Sequence, residues 1–320
     1  MNKGVLTGLL TPEQVARDAP AGTELVREEV SAIEADGTVR FRSGDRMRPA
    51  AVLLASGSAP RRYSAQAGGD RAGTIERLTH LHSIEDAERV RTLLPPNGGR
   101  AVILGAGLIG SETASLLAEA GADVTLVSRS PVPLRRELGP VVASALLHRH
   151  DAHIRTRFGH PVSHVTAGSE SVVIGLEDGE RLEAHVAVVA HGTVARRPLL
   201  SGSREGSIAS MRVDHWEDAA AQGAHAARSI IHDVLGGPDP GEYRFTSSYS
   251  SRIHGSMLTA SGVAFPTGRW THPIDGAAVA VGIHRSRTTA VAGLDAASTV
   301  LSIAAEICHD RHGVADGTPA

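Results

Sequence analysis

Residues 101–112 read Ala-Val-Ile-Leu-Gly105-Ala-Gly107-Leu-Ile-Gly110-Ser-Glu112, an apolar strand running straight into Gly-x-Gly-x-x-Gly. A helical pattern continues to Ala120, and a second apolar run, residues 123–127, follows the turn at Gly121. Strand, glycine turn, helix and strand in this order form one half-unit of a parallel α/β sheet. The turn has three physical properties: a backbone that bends sharply, no Cβ at the point of closest approach, and free N–H groups where the helix opens at about Leu108. Those properties suit the pyrophosphate of a dinucleotide, with residues 105–110 as its cradle, Ala106, Leu108 and Ile109 among them. The alternative is a tight strand-to-helix turn with no ligand.

The residues just beyond the second strand select the ribose. An acid there suits a free 2′-hydroxyl and a cation suits a 2′-phosphate. This chain has Ser128-Arg129 and no carboxylate, which favours NADPH over NADH because a guanidinium matches phosphate. A solvated strand-end charge is the competing account of Arg129.

At 320 residues the chain has room for two or three domains. Its net charge of -3 gives no basic field for nucleic acid. A single lysine, Lys3, stands against 31 arginines, and a single cysteine, Cys308, excludes an internal dithiol centre. No apolar run reaches the ~18 residues of a membrane span, and no signal sequence opens the chain, so a cytoplasmic, membrane-free protein is expected.

Thr11-Pro12 opens a short helix. Residues 30–33, 39–41 and 48–55 read as strands parted by turns at Asp36-Gly37 and Ser43-Gly44-Asp45, the last ending in a buried strand over residues 51–55. Ser83-Ile-Glu-Asp86 starts a helix that Pro95-Pro96 ends. Strands are expected at 154–157, 171–174, 186–190 and 277–281, and helices at 216–234 and 296–307. Residues 64–75 and 201–212 read as loop and linker. His148, His150 and His153 do not converge on one helix face, so no metal is expected there, and they read as solvated helix-end groups; His80 and His82 read as surface residues.

Several of these stretches together resemble the FAD- and NAD(P)H-dependent ferredoxin reductases that supply electrons to cytochromes P450 and dioxygenases. Asn2-Lys3 is similar to the end of the family's Leu-Ser-Lys segment, and residues 53–61, with Ala55, Ser56, Gly57 and Arg61, to its strand beside the flavin. The loop from Gly105 to Glu112 resembles its Gly-x-Gly-x-x-Gly-x-Glu, whose glutamate lies near the nicotinamide. Val189-Ala-His191-Gly192, with Arg197-Pro198, resembles its Gly-x-Gly-x-Arg-Pro turn. His215-Trp216 and the following Ala-rich run to Gln222-Gly223 resemble the helix that returns to the flavin domain.

The resemblance implies a Rossmann-like NAD(P) domain (95–200) inserted in an incomplete FAD-type α/β domain (1–94 and 201–242), followed by a small α+β C-terminal interface domain (243–320). It also implies cofactor contacts at the residues just named, electron transfer to a ferredoxin-type acceptor, and no protein nucleophile. Two family features are absent from the sequence as read: a first glycine-rich unit before Lys3, and a Gly-Asp motif before Trp216. Both serve FAD, so tight FAD binding by this chain alone is not expected, and the residual apolar edge of residues 20–60 suggests a homodimer. Three readings stay open: a reductase with impaired flavin binding, a degenerate reductase fold acting as a scaffold or non-redox catalyst, and a fragment that does not fold stably.

Overall fold

Continuous apolar runs such as residues 101–104 and 186–189 have no polar face, so they are stable only where both sides of a sheet are covered. The computed structural model describes residues 2–16, 18–61, 63, 75–168, 170–196, 216–243 and 246–312; the side chains of Asn2, Trp216 and residues 308–312 lie outside that description. In chain order, α1 (Asn2–Leu6) and α2 (Pro12–Val15) precede β1 (Val30–Ile33), β2 (Val39–Phe41), β3 (Arg46–Met47) and β4 (Ser58–Pro60). Next come β5 (Leu78–His80), α3 (Ile84–Leu93), β6 (Arg100–Leu104), α4 (Leu108–Glu119), β7 (Asp123–Ser128), α5 (Arg135–His153) and β8 (Arg155–Phe158). A meander of β9 (Val162–Ala167), β10 (Val172–Leu176) and β11 (Arg181–Ala184) leads to β12 (Val186–Val189) and β13 (Thr193–Ala195). The remainder is α6 (Trp216–Leu235), β14 (Ser248–Ile253), β15 (Ser256–Gly262), β16 (Arg269–Thr271), β17 (Val279–His284), β18 (Arg287–Leu294) and α7 (Ala297–His312).

Two units divide the chain, one of Met1–Ala16, Pro60–Thr193 and Ser248–Ala320, the other of Arg17–Ala59 and Val194–Ser247. The first unit contains a parallel sheet of order β5-β12-β6-β7-β8. Alternate residues serve opposite faces: Ala101, Ile103, Val124, Leu126, Val186 and Val188 pack with Val5, Val90 and Leu117, from α1, α3 and α4. Val102, Leu104, Val127, Ala187 and Val189 pack instead on the meander through Val165, Val172, Ile174 and Leu182. Because β7 and β12 flank β6 on opposite sides, the chain reverses direction across the sheet beside the C-terminal end of β6. Open α/β sheets take their ligands at such a switch point.

The same unit carries an antiparallel sheet of order β14-β15-β18-β17-β16. Leu138, Val142 and Leu146, spaced four apart on α5, pack on one face against Ile253, Leu258, Ala280 and Leu294. On the other face Val300, Ala304 and Ile307 of α7 meet Val279, Val281 and Val291. Burial of each large side chain contributes about 1.5–3 kcal/mol, whereas the half-exposed Arg149–Asp295 pair at 3.5 Å contributes about 0–1 kcal/mol, so apolar packing docks α5 here.

In the second unit β1, β2 and β3 form a three-stranded meander around Ala32, Ile33 and Val39. The buried strand expected over residues 51–55 does not form: no described strand lies beside it, and Val52, Leu53 and Leu54 are 37%, 49% and 46% exposed. A backbone with no ladder partner has nothing to hold it in a sheet, whatever its composition. Asp218 on α6 is buried and accepts hydrogen bonds from Gln222 Nε2 and, at 3.0 Å, from the Tyr243 hydroxyl. Burial first, and then this carboxylate, push the Tyr243 hydroxyl up to about 12.

Candidate functional site

The three glycines of the β6–α4 turn answer to different demands. Gly105 has φ +110°, and a Cβ there would stand 2.5 Å from the Ala190 carbonyl oxygen on the turn after β12. A Cβ on Gly110 would stand 1.9 Å from the Gly105 oxygen. Those two positions are glycine because the fold requires it. Gly107 differs: its φ of -74° suits any residue, and a Cβ there would meet nothing within 4 Å. Gly107 is the N-cap of α4, and no side chain caps the helix. The turn therefore presents open space over uncapped N–H groups at the positive end of a helix dipole, which fits an anionic pyrophosphate.

At the tip of β7, Ser128 accepts a hydrogen bond at its Oγ from Ser130 N (3.1 Å), while its carbonyl accepts from Gly159 N (2.8 Å) and His160 N (3.2 Å). These bonds fix the turn, and Arg129 projects from it exposed.

Glu112, one turn into α4, is held by two distant segments. Its Oε2 accepts from Lys3 Nζ, on α1, and from the buried Ser251 Oγ, on β14, at 2.7 Å. The side chains of Lys3 and Glu112 remain 31% and 20% exposed, so the pair borders solvent.

Beyond β12, Ala190 N donates to Leu104 O (2.8 Å) and Arg61 N to Gly192 O (2.9 Å), locking the segment that carries His191 beside the glycine turn. The Cδ2 of His191 lies 3.1 Å from where a Gly105 Cβ would be. Burial, then the charges of Arg129 and His80, hold the His191 imidazole below its ordinary pKa.

Sequence reasoning missed one cluster. His150 is 1% exposed, not solvated: its Nδ1 meets His254 Nε2 at 2.9 Å and its Nε2 meets Ser111 Oγ at 3.2 Å. His254 N donates to Ser115 Oγ (2.7 Å), and the His153 ring stacks on His254 with centroids 4.8 Å apart. Burial first, then neighbouring histidine charge, lowers His150 to about 3 and His254 to about 4. The cluster ties α4, which carries the glycine turn, to α5 and to the β14–β15 turn. The available signal was the His254-Gly255 pair, which forms the turn between β14 and β15, where His254 adopts φ +48°. His80 also departs from the surface reading, being half-buried with its Nδ1 enclosed, while His82 is exposed.

The structure thus gathers Lys3 with Glu112, and Arg61, His191 and Gly192 with the Gly105–Gly110 turn. Ala55, Ser56 and Gly57 belong to the second unit, where Ser56 Oγ donates to Arg196 O and Gly57 O accepts from Arg196 N at 3.0 Å. His215, Arg197 and Pro198 lie outside the described residues, and Trp216 is described only as the first residue of α6. Among the described residues no group of three metal-ligating side chains converges, and no helix is long and apolar enough to cross a membrane.

Residues 5–220 match the model of the pyridine nucleotide-disulphide oxidoreductases, two-thirds of the chain. The chain belongs to that family. This pyridine nucleotide-disulphide oxidoreductase sequence has one cysteine, Cys308. Terpredoxin reductase of a Pseudomonas species is 30% identical over 167 residues; the aligned stretch covers 51% of this chain and only 39% of that protein. The crystal structure of Fdr9 superposes with a TM-score of 0.78 at 22% identity, covering 96% of this chain and 85% of its own. The putidaredoxin reductase of a covalent putidaredoxin reductase–putidaredoxin complex gives 0.77 at 22% identity, covering 97% and 83%. The fold is that of the ferredoxin reductases, an α/β architecture around a Rossmann-like parallel sheet.

Proposed function

We propose that this chain is an NAD(P)H-dependent oxidoreductase of the ferredoxin-reductase type in which the nucleotide cradle is complete and flavin is held weakly by this chain alone. The observation that carries the reading is Gly107: the protein itself makes no use of the missing Cβ, and the space lies over an uncapped helix N-terminus between two glycines that the fold does require. Gly105–Gly110 would hold the pyrophosphate, with Ser128 and Arg129 at the adenosine end, where Arg129 favours a 2′-phosphate and hence NADPH. Glu112, pinned by Lys3 and Ser251, would border the nicotinamide. A bound flavin would supply the chemistry that couples a two-electron hydride donor to a one-electron acceptor. The protein's part would be alignment, with the Glu112–Lys3 ion pair as the charged group that would lie beside the nicotinamide. A ferredoxin-type protein is the acceptor this reading favours, in line with the names of the relatives.

The exposed, unpaired residues 51–55 support weak flavin retention, since the segment assigned to the flavin's side has no sheet to fix it. They also favour a second reading, in which nucleotide affinity persists without redox turnover. NADPH-dependent reduction of ferricyanide separates the two: turnover that depends on added FAD supports the reductase, and nucleotide binding with no turnover at saturating FAD supports the second reading. Absence of binding to NADPH and NADH alike would contradict both.

A further inference from the structure

The turn after β12 sets an ionisable ring against the glycine cradle without using it structurally. His191 touches Tyr63 through its ring, with centroids 6.1 Å apart at 46°, and makes no side-chain hydrogen bond among the described residues. The ring packs beside Gly105, yet the residue is exposed at the mouth of the switch point. The groups that face it come from three other elements: Arg129 beyond β7, His80 at the end of β5, and Tyr63 in the segment after β4. Behind His80 stand Asp86 and His82, which act on His80 in opposite directions. His80 Nδ1 is itself enclosed and unpaired among the described residues.

In the free protein burial first, and then the positive charges of Arg129 and His80, favour the neutral ring of His191. A dinucleotide reverses that balance, because its pyrophosphate brings two negative charges to the loop that the ring abuts. An opposite charge arriving beside the ring favours the imidazolium.

Building on the nucleotide site proposed above, we propose that His191 takes up a proton from solvent when the dinucleotide pyrophosphate enters the Gly105–Gly110 cradle, and gives it back when the nucleotide leaves. Affinity therefore increases as pH falls toward the titration range of the ring. Affinity is expected to be roughly threefold tighter at about pH 6.5 than at about pH 8.

The test is calorimetric titration of the full chain with NADH, in two buffers of different ionisation enthalpy at about pH 6.5. NADH is the probe because the 2′-phosphate of NADPH titrates near pH 6 and would contribute its own proton. Wild-type protein is expected to show a buffer-dependent heat equal to uptake of a fraction of one proton. H191Q, which keeps a polar side chain at an exposed position, is expected to bind NADH with no buffer dependence and with affinity flat across this pH range; H80Q is expected to retain most of the uptake. Binding by wild type with equal heats in both buffers, or uptake that survives in H191Q or vanishes only in H80Q, would overturn the proposal while leaving the nucleotide site standing. Absence of heat with NADH and with NADPH would instead contradict the site and the proposal together.

Discussion

Gly110 packs against Gly105 so closely that a Cβ on the former would lie 1.9 Å from the carbonyl oxygen of the latter. The atom it would strike is backbone, held in turn by the bond from Gly105 N to Val127 O at 2.8 Å, so nothing can move aside cheaply. Gly110→Ala is expected to destabilise the chain by at least the ~1–3 kcal/mol typical of overpacking. Gly107→Ala, into open space, should cost less than about 1 kcal/mol. Denaturant titration of both variants checks the contrast; equal losses would contradict the division of roles among the glycines.

His150 supplies a pH dependence whose sign is fixed by its burial. Its pKa is about 3 in the folded chain against an ordinary 6.5, so the unfolded chain binds more protons and stability falls as pH drops below 6.5 toward 3. At about pH 5 this one residue costs about 2 kcal/mol relative to about pH 8. Urea unfolding across that interval should show the loss in wild type and a flatter profile in His150→Gln.

Why that histidine escaped the sequence reading is instructive. Helix and strand periodicities report which face of one element is apolar, and they placed β6, α4 and β7 and the helix starts at Thr11 and Ser83, where both capping boxes form. The His150–His254 bond spans 104 residues and the Lys3–Glu112 pair 109, so neither leaves a local pattern. At residues 51–55 the error ran the other way: an apolar run predicts a strand only if a neighbour is present to pair with it. The same limit applies at the site, where the glycine turn was legible as a motif but the anchoring of Glu112 by Ser251 was not.

That anchoring can be measured. Ser251→Ala removes one donor to a carboxylate and should cost about 1 kcal/mol, whereas Glu112→Ala leaves both Lys3 and Ser251 without their acceptor and should cost more, about 1–3 kcal/mol. Thermal unfolding of the two single variants gives the order; a larger loss for Ser251→Ala would show that Glu112 is not the hub.

Arg129 is expected to act on nucleotide choice and not on stability, since it projects exposed from the β7 tip. Charge-assisted bonds to a phosphate contribute about 1.5–3 kcal/mol, so Arg129→Ala should weaken NADPH binding by roughly tenfold or more while leaving NADH within about twofold. Equal losses for the two nucleotides would place the arginine at the pyrophosphate instead.

If the β6–α4 turn is a working cradle for a pyridine nucleotide, a side chain at Gly107 must displace its phosphates. NADPH is titrated into the wild-type chain and into Gly107→Ala, with both proteins shown to unfold at the same denaturant concentration. Wild type is expected to bind saturably and the variant at least tenfold more weakly, because the added methyl occupies phosphate space and nothing else. Equal affinities in the two proteins, or no binding of NADPH or NADH by wild type, would contradict it.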